Sequence, residues 1–95
     1  MMKATLNTAK KLNLHLEVVV MDVGKSNVTS VEIYGIDNDE AWEEYLVSYQ
    51  INSNGSLSYQ GTCFPGDHDL PGHIANEKAL RGLLPEFARF AASLT

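Results

Sequence analysis

The stretch from Leu12 to Met21 constrains the fold more than any other part of this chain. Leu12, Leu14, Leu16, Val18 and Val20 alternate there with Asn13, His15, Glu17, Val19 and Met21. Side chains of a strand point alternately to opposite faces, so this period of two predicts a half-buried β-strand. Asp22 to Asn27 is turn-forming, and residues 28–36 supply a second strand rich in β-branched and aromatic side chains: Val28, Thr29, Val31, Ile33, Tyr34 and Ile36.

Residues 37–40 read as a loop and 41–52 as a third strand, because Tyr45, Val47, Tyr49 and Ile51 alternate. The competing reading is a helical turn near 39–43, since Asp37 and Glu40 resemble a capping box. Two turns can follow. A two-residue loop at Asn54-Gly55 would set Ile51 opposite Ser58. A three-residue loop, Ser53-Asn54-Gly55, pairs Ile51 with Leu57 and Tyr49 with Tyr59, and places Gly55 where positive φ is needed. The second satisfies both face and turn, and a fourth strand at 56–64 follows from it.

Beyond Phe64 the chain is turn-rich as far as Gly72. Leu80, Leu83, Leu84, Phe87, Ala91 and Leu94 then form one helical stripe that keeps its phase across Pro85. Proline inside a helix costs about 3 kcal/mol. The expectation is a kinked helix, or two nearly collinear helices with Pro85 opening the second. Residues 3–11 fit a short helix, with Leu6 and Ala9 on one face, or an extension of the next strand; the helix is preferred. The fold expected is α+β: a four-stranded antiparallel meander with the C-terminal helix packed on one face and a short N-terminal helix. The order resembles a double-stranded-RNA-binding domain in outline, but the acidic balance contradicts that reading, and no family is assigned.

Composition narrows function. The 95 residues suffice for one domain, and 44% hydrophobic with 20% charged residues suits a folded core. The net charge of −5 leaves no basic stripe to displace counterions from phosphate, so nucleic acid is not an expected partner. No apolar run reaches the roughly 20 residues of a membrane span. The single cysteine, Cys63, forms no intramolecular disulfide and fits a reducing, cytoplasmic compartment.

Meander registers matched by face set Val18 opposite Val31, Val31 opposite Val47 and Val47 opposite Gly61. The helix-covered face then holds Leu14, Leu16, Val18, Val20, Val31, Ile33, Tyr45, Val47, Tyr49, Ile51, Leu57, Tyr59 and Cys63. On the open face, His15, Tyr34, Glu44 and Phe64 share a row, Asn13, Ile36 and Trp42 share the next, and Leu46, Glu17 and Glu32 flank them. Asp67 and His68 leave the sheet at that end. This aromatic and acidic patch is the candidate binding site, for a protein partner or for a second copy in a homodimer, because aromatics dominate interface energetics. A bland alternative is that the N-terminal segment covers it.

Other chemistry is weaker. Cys63, Asp67, His68, Asp69 and His73 are metal-ligand types without paired spacing, and no cofactor is expected. A Cys63–histidine nucleophile pair would need an exposed thiol. Gly24-Lys25-Ser26 lacks the upstream glycine of a P-loop. Asp37, Asp39, Glu40, Glu43 and Glu44 form an acidic run suited to a basic partner or simply to water. The reading is a non-enzymatic binding module. Its alternative is a small-ligand or metal-dependent enzyme using the Cys63–His73 region with His15, Tyr34 and Glu44.

Overall fold

A computed structural model of the chain describes residues 1–64 and 69–94, the Val23 side chain excepted. It is α+β, with an antiparallel sheet preceded in sequence by a short helix and followed by a long one. The elements run α1 (Lys3–Lys11), β1 (Leu14–Val23), β2 (Ser26–Asp37), β3 (Glu40–Ala41), β4 (Val47–Ile51), β5 (Leu57–Gly61), β6 (His73–Ile74) and α2 (Glu77–Ser93). The sheet order is β1-β2-β4-β5-β6, with β3 paired to β2. The four-strand expectation misses β3 and β6. Both are two-residue strands, too short for any periodic signal.

The β1·β2 hairpin is the long member. Its register is uninterrupted from Leu14↔Gly35 to Val23↔Ser26, with Val18 opposite Val31 as expected. Gly24, at φ +62°, opens the two-residue turn, where a side chain would be strained. The next turn is equally tight: Asn38 and Asp39 both take positive φ (52° and 65°), and Asp37 pairs with Glu40. Asparagine and aspartate tolerate that region best among non-glycine residues.

The third expected strand is split. Trp42 N–H donates to Gly35 O at 2.9 Å and Leu46 N–H to Ile33 O at 2.7 Å, so the chain loops out between them before β4 begins. Val31 therefore faces Tyr49, and Ile33 faces Val47, two residues away from the expected pairing. The β4–β5 connection is the three-residue loop, with Ile51↔Leu57 and Tyr49↔Tyr59. Gly55 sits at φ +87°. Beyond Tyr59 the register slips by one, and Gly61 rather than Gln60 lies opposite Ser48. That bulge moves every later side chain to the other face.

The core lies between sheet and helices. Leu14, Leu16, Val31, Ile33, Val47, Tyr49 and Leu57 meet Leu80, Leu84, Phe87 and Ala91 of α2, with Leu46 and Ile74 also buried. Tyr49 is fully buried, and its hydroxyl donates to Pro71 O at 2.8 Å. Burial pushes its pKa up. Asn76 caps α2, accepting from Ala79 N–H at 2.8 Å. Pro85 lies within this one helix, not at a break between two.

In α1 the buried face is Thr5 and Ala9, one turn apart, while Leu6 is exposed. The two helices are stapled at their N-terminal ends. Thr5 Oγ1 donates to Glu77 Oε2 at 2.7 Å, Met2 N–H donates to the same oxygen at 2.8 Å, and Arg81 Nε donates to Thr5 Oγ1 at 3.2 Å. Partial burial alone would raise the Glu77 pKa. The hydrogen bonds from Thr5 and Met2 and the nearby positive charge, Arg81 included, outweigh it and hold the carboxyl below its ordinary value.

A depressed carboxyl stabilises the fold above its unfolded pKa, and that contribution disappears as pH falls through the folded value. Glu77→Gln is expected to lose about 1 kcal/mol near neutral pH, a hydrogen-bond-sized figure reduced for solvent screening. Its deficit against wild type should shrink in acid. Urea unfolding of both proteins near neutrality and at about pH 3 measures the two effects.

Candidate functional site

The expected single patch is divided between the two sides of the sheet. His15 and Tyr34 are cross-strand neighbours, as expected, on the face the helices leave open. Trp42 and Phe64 are on the other side. Gly35 pairs with buried Leu14 and so faces the helices, and a Cβ on Gly35 would lie 2.5 Å from Trp42 Cε2. The indole thus lies flat against backbone that only glycine leaves bare. Phe64 meets the indole edge-on at 5.7 Å between centroids, and both pack against the core.

Each displacement has a local cause. The loop-out between Trp42 and Leu46 resets parity, so Leu46 enters the core instead of the open face, and Tyr45 leaves the core face. The bulge before Gly61 does the same to the following residues: Phe64 turns inward, while Cys63 is exposed instead of buried. The row His15-Tyr34-Glu44-Phe64 therefore does not form. Asp67 and His68 lie outside the described residues. No group of three or more histidine, cysteine, aspartate or glutamate side chains among the described residues could hold a metal ion.

Two hollows result. The first lies on the helix side and is lined by Asp37, Trp42, Glu43, Glu44, Phe64 and Leu94, with a volume of about 450 Å³. Its walls are the indole and the phenyl ring, and three exposed carboxylates stand on its rim. Asp37 Oδ2 accepts from Trp42 Nε1 at 3.0 Å, which fixes the indole's rotation while leaving the other Asp37 oxygen to the surface. The Asn38–Asp39 turn brings Asp37 back beside Trp42.

The second hollow, about 240 Å³, is on the open face and is lined by His15, Glu17, Tyr34 and Glu43, with Trp42 reaching its edge. Tyr34 is the centre of a ring cluster, 5.9 Å from His15 and 6.5 Å from Tyr45, and its hydroxyl donates to Glu32 Oε1 at 3.0 Å. Burial, then the Glu32 hydrogen bond and charge, push the Tyr34 pKa up to about 12. Burial also raises the Tyr45 pKa, and the neighbouring Cys63 and Glu32 add to the rise. Glu17 stands directly opposite Glu32, a like-charge pair that sheets ordinarily avoid. Trp42 and Glu43 line both hollows, so they meet just beyond β3.

Sequence reasoning named Trp42, Phe64, Glu44, His15 and Tyr34 but passed over Asp37 as an indole partner, Glu43 as the shared rim, and Leu94 as the floor. The helical stripe that carries Leu94 past the last buried alanine was the available signal for that floor.

Known proteins offer no guide, since no family model, curated protein or solved structure matches the chain.

The Gly35–Trp42 contact is the most sensitive point of the first hollow. Gly35→Ala is expected to force the ring away and to destabilise the fold by about 1–3 kcal/mol, the usual range for overpacking. Trp42 is the only tryptophan in the chain, so its emission should move to longer wavelength in the folded variant. Equilibrium unfolding followed by fluorescence records both changes.

Proposed function

We propose that this protein is a non-enzymatic interaction module of the cytosol that holds a basic side chain of a protein partner in the Trp42–Phe64 hollow. The observation that carries the reading is the composition of that hollow: two aromatic walls under a rim of Asp37, Glu43 and Glu44. An arginine or lysine stem packs on aromatic surface, its cation is attracted to the ring face, and carboxylates hold the charged head. The arrangement also suits a chain of net charge −5, whose field favours approach of basic surfaces. Aromatic side chains are the usual anchors of such interfaces.

Both faces contribute. Glu43 joins the helix-side hollow to the His15–Tyr34 hollow, so a basic segment crossing the β3 rim would meet carboxylates on either side. The enzyme alternative requires His15, Tyr34 and Glu44 around one pocket. Glu44 lines the helix-side hollow while His15 and Tyr34 line the other, which favours the binding reading.

Trp42 provides the assay. Titration with a penta-arginine peptide is expected to quench or shift its emission, whereas penta-glutamate should leave it unchanged. Raising salt to about 0.15 M, where the screening length is about 8 Å, should weaken the effect. Glu43→Gln combined with Glu44→Gln should weaken it about tenfold. An emission indifferent to penta-arginine, or equally responsive to both peptides, would remove this reading.

A further inference from the structure

Among the described residues, β1 carries three exposed large apolar side chains, Val18, Val20 and Met21. β1 ends the sheet, and among the described residues no strand pairs with its outer side. It has ten residues and no proline, lysine or bulge, and α1 packs only at its Leu14 end, so most of the edge is open to pairing. The opposite edge, β6, has only two residues.

The backbone alternation identifies which groups are unpaired. Ile36 N–H donates to Asn13 O at 3.1 Å, so the odd-numbered residues of this stretch face β2. Leu14, Leu16, Val18, Val20 and Asp22 then direct their N–H and C=O groups outward. Exposed apolar side chains lie along the helix-side face of the same strand: Val18 is 44% exposed and Val20 62%, with Leu6 of the neighbouring helix at 41%. Between α1 and the Leu14 end of the strand runs a mainly apolar groove of about 390 Å³, lined by Leu6, Lys10, Leu14 and Leu16 among others.

We propose that this edge binds a second copy of the chain, β1 pairing antiparallel with β1 about a two-fold axis at Val18. Val18 then faces Val18 of the second copy, Leu16 faces its Val20, and Leu14 faces its Asp22. Each outward backbone group from Leu14 to Asp22 gains a partner. The same register explains the uneven covering of β1. α1 shelters Leu14 and Leu16, leaving Val18 and Val20 bare. In the pair, Val20 of each copy enters the groove beside the other's Leu6, and Asp22 of each comes to the other's Lys10.

Charge and shape favour this register over axes at Glu17 or Leu16. Glu17 falls opposite Val19 of the second copy, so the two Glu17 carboxylates do not oppose each other. The two Leu14 positions lie eight residues apart along the seam, roughly 26 Å at the strand rise, so the two α1 helices clear one another. An axis at Leu16 would halve that separation and leave Val20 beyond the partner strand. Because an axis of this kind is perpendicular to the sheet, the two helix layers lie on one side of a single continuous sheet.

Two variants test the seam with little disturbance of the fold. Val18→Pro removes an N–H that points away from β2, the position at which edge strands tolerate proline. Val20→Lys sets an ammonium against the second copy's Leu16 and Lys10, at a position exposed in the single chain. Sedimentation and light scattering of wild type over a concentration series should give twice the chain mass. Both variants should give the single-chain mass at the same concentrations, with dissociation constants raised at least about tenfold and cooperative thermal unfolding retained. Should Val18→Pro fail to fold, Val20→Lys decides the matter. A wild-type chain that remains single up to about 0.5 mM overturns the proposal, and so does a dimer that survives Val20→Lys.

Discussion

A pleated strand can bury only every second side chain, and in this protein that constraint is applied by one interface: the α2 stripe of Leu80, Leu84, Phe87 and Ala91 lying on Leu14, Leu16, Val31, Ile33, Val47 and Tyr49. Everything else accommodates it. The β1·β2 ladder has to keep its register over its full length, because a slip of one residue would exchange Leu16 and Val31 for Glu17 and Glu32 in the core. Tyr49, the largest buried side chain, can have a hydroxyl there because Pro71 O accepts from it. The Thr5–Glu77–Arg81 cluster then ties α1 to the start of the same helix.

The parts of the fold that repeat were readable from sequence, and the parts that occur once were not. Ten alternating residues in β1, the β-branched run in β2 and the Leu80–Leu94 stripe form the strands and helix expected of them, although Val18 and Val20, expected under the helix, are exposed because the helices cover only the Leu14 end of β1. The Ser53–Gly55 loop was readable for another reason: only one loop length satisfied both the faces of Ile51 and Leu57 and the backbone of Gly55. Single-residue departures leave no such trace. Nothing in Trp42-Glu43-Glu44-Tyr45-Leu46 marks a loop-out, because its alternation of large and acidic side chains fits a strand equally well. The extra residue at Gln60 is announced only by Gly61, whose φ of +156° no sequence pattern specifies.

The candidate site was affected most because it lies beyond both irregularities. Parity errors propagate: one unrecognised insertion moves every later side chain to the wrong face until another insertion restores it. Trp42 and Phe64 were assigned to neighbouring rows of the open face and both lie on the helix side, so they stay close to one another although the patch is elsewhere. His15 and Tyr34, on the uninterrupted β1·β2 ladder, are where the alternation puts them. Bulges concentrate near functional surfaces because they re-aim side chains, and here they set two aromatic rings beside Asp37, Glu43 and Glu44.

The two proposed surfaces are related by geometry. Trp42 lies over Gly35, and Gly35 pairs with Leu14, so each helix-side hollow sits near the Leu14 end of β1. Pairing of β1 strands about an axis at Val18 places those ends on opposite sides of the axis and both hollows on the same side of the sheet. A partner with two basic segments could then occupy both at once, and the second contact would form at a local concentration set by the span between them. A weak single hollow, walled by two rings and open to solvent, would gain avidity from assembly alone. In the proposed pair, the association that gives the free edge a partner strand would also set two such hollows side by side.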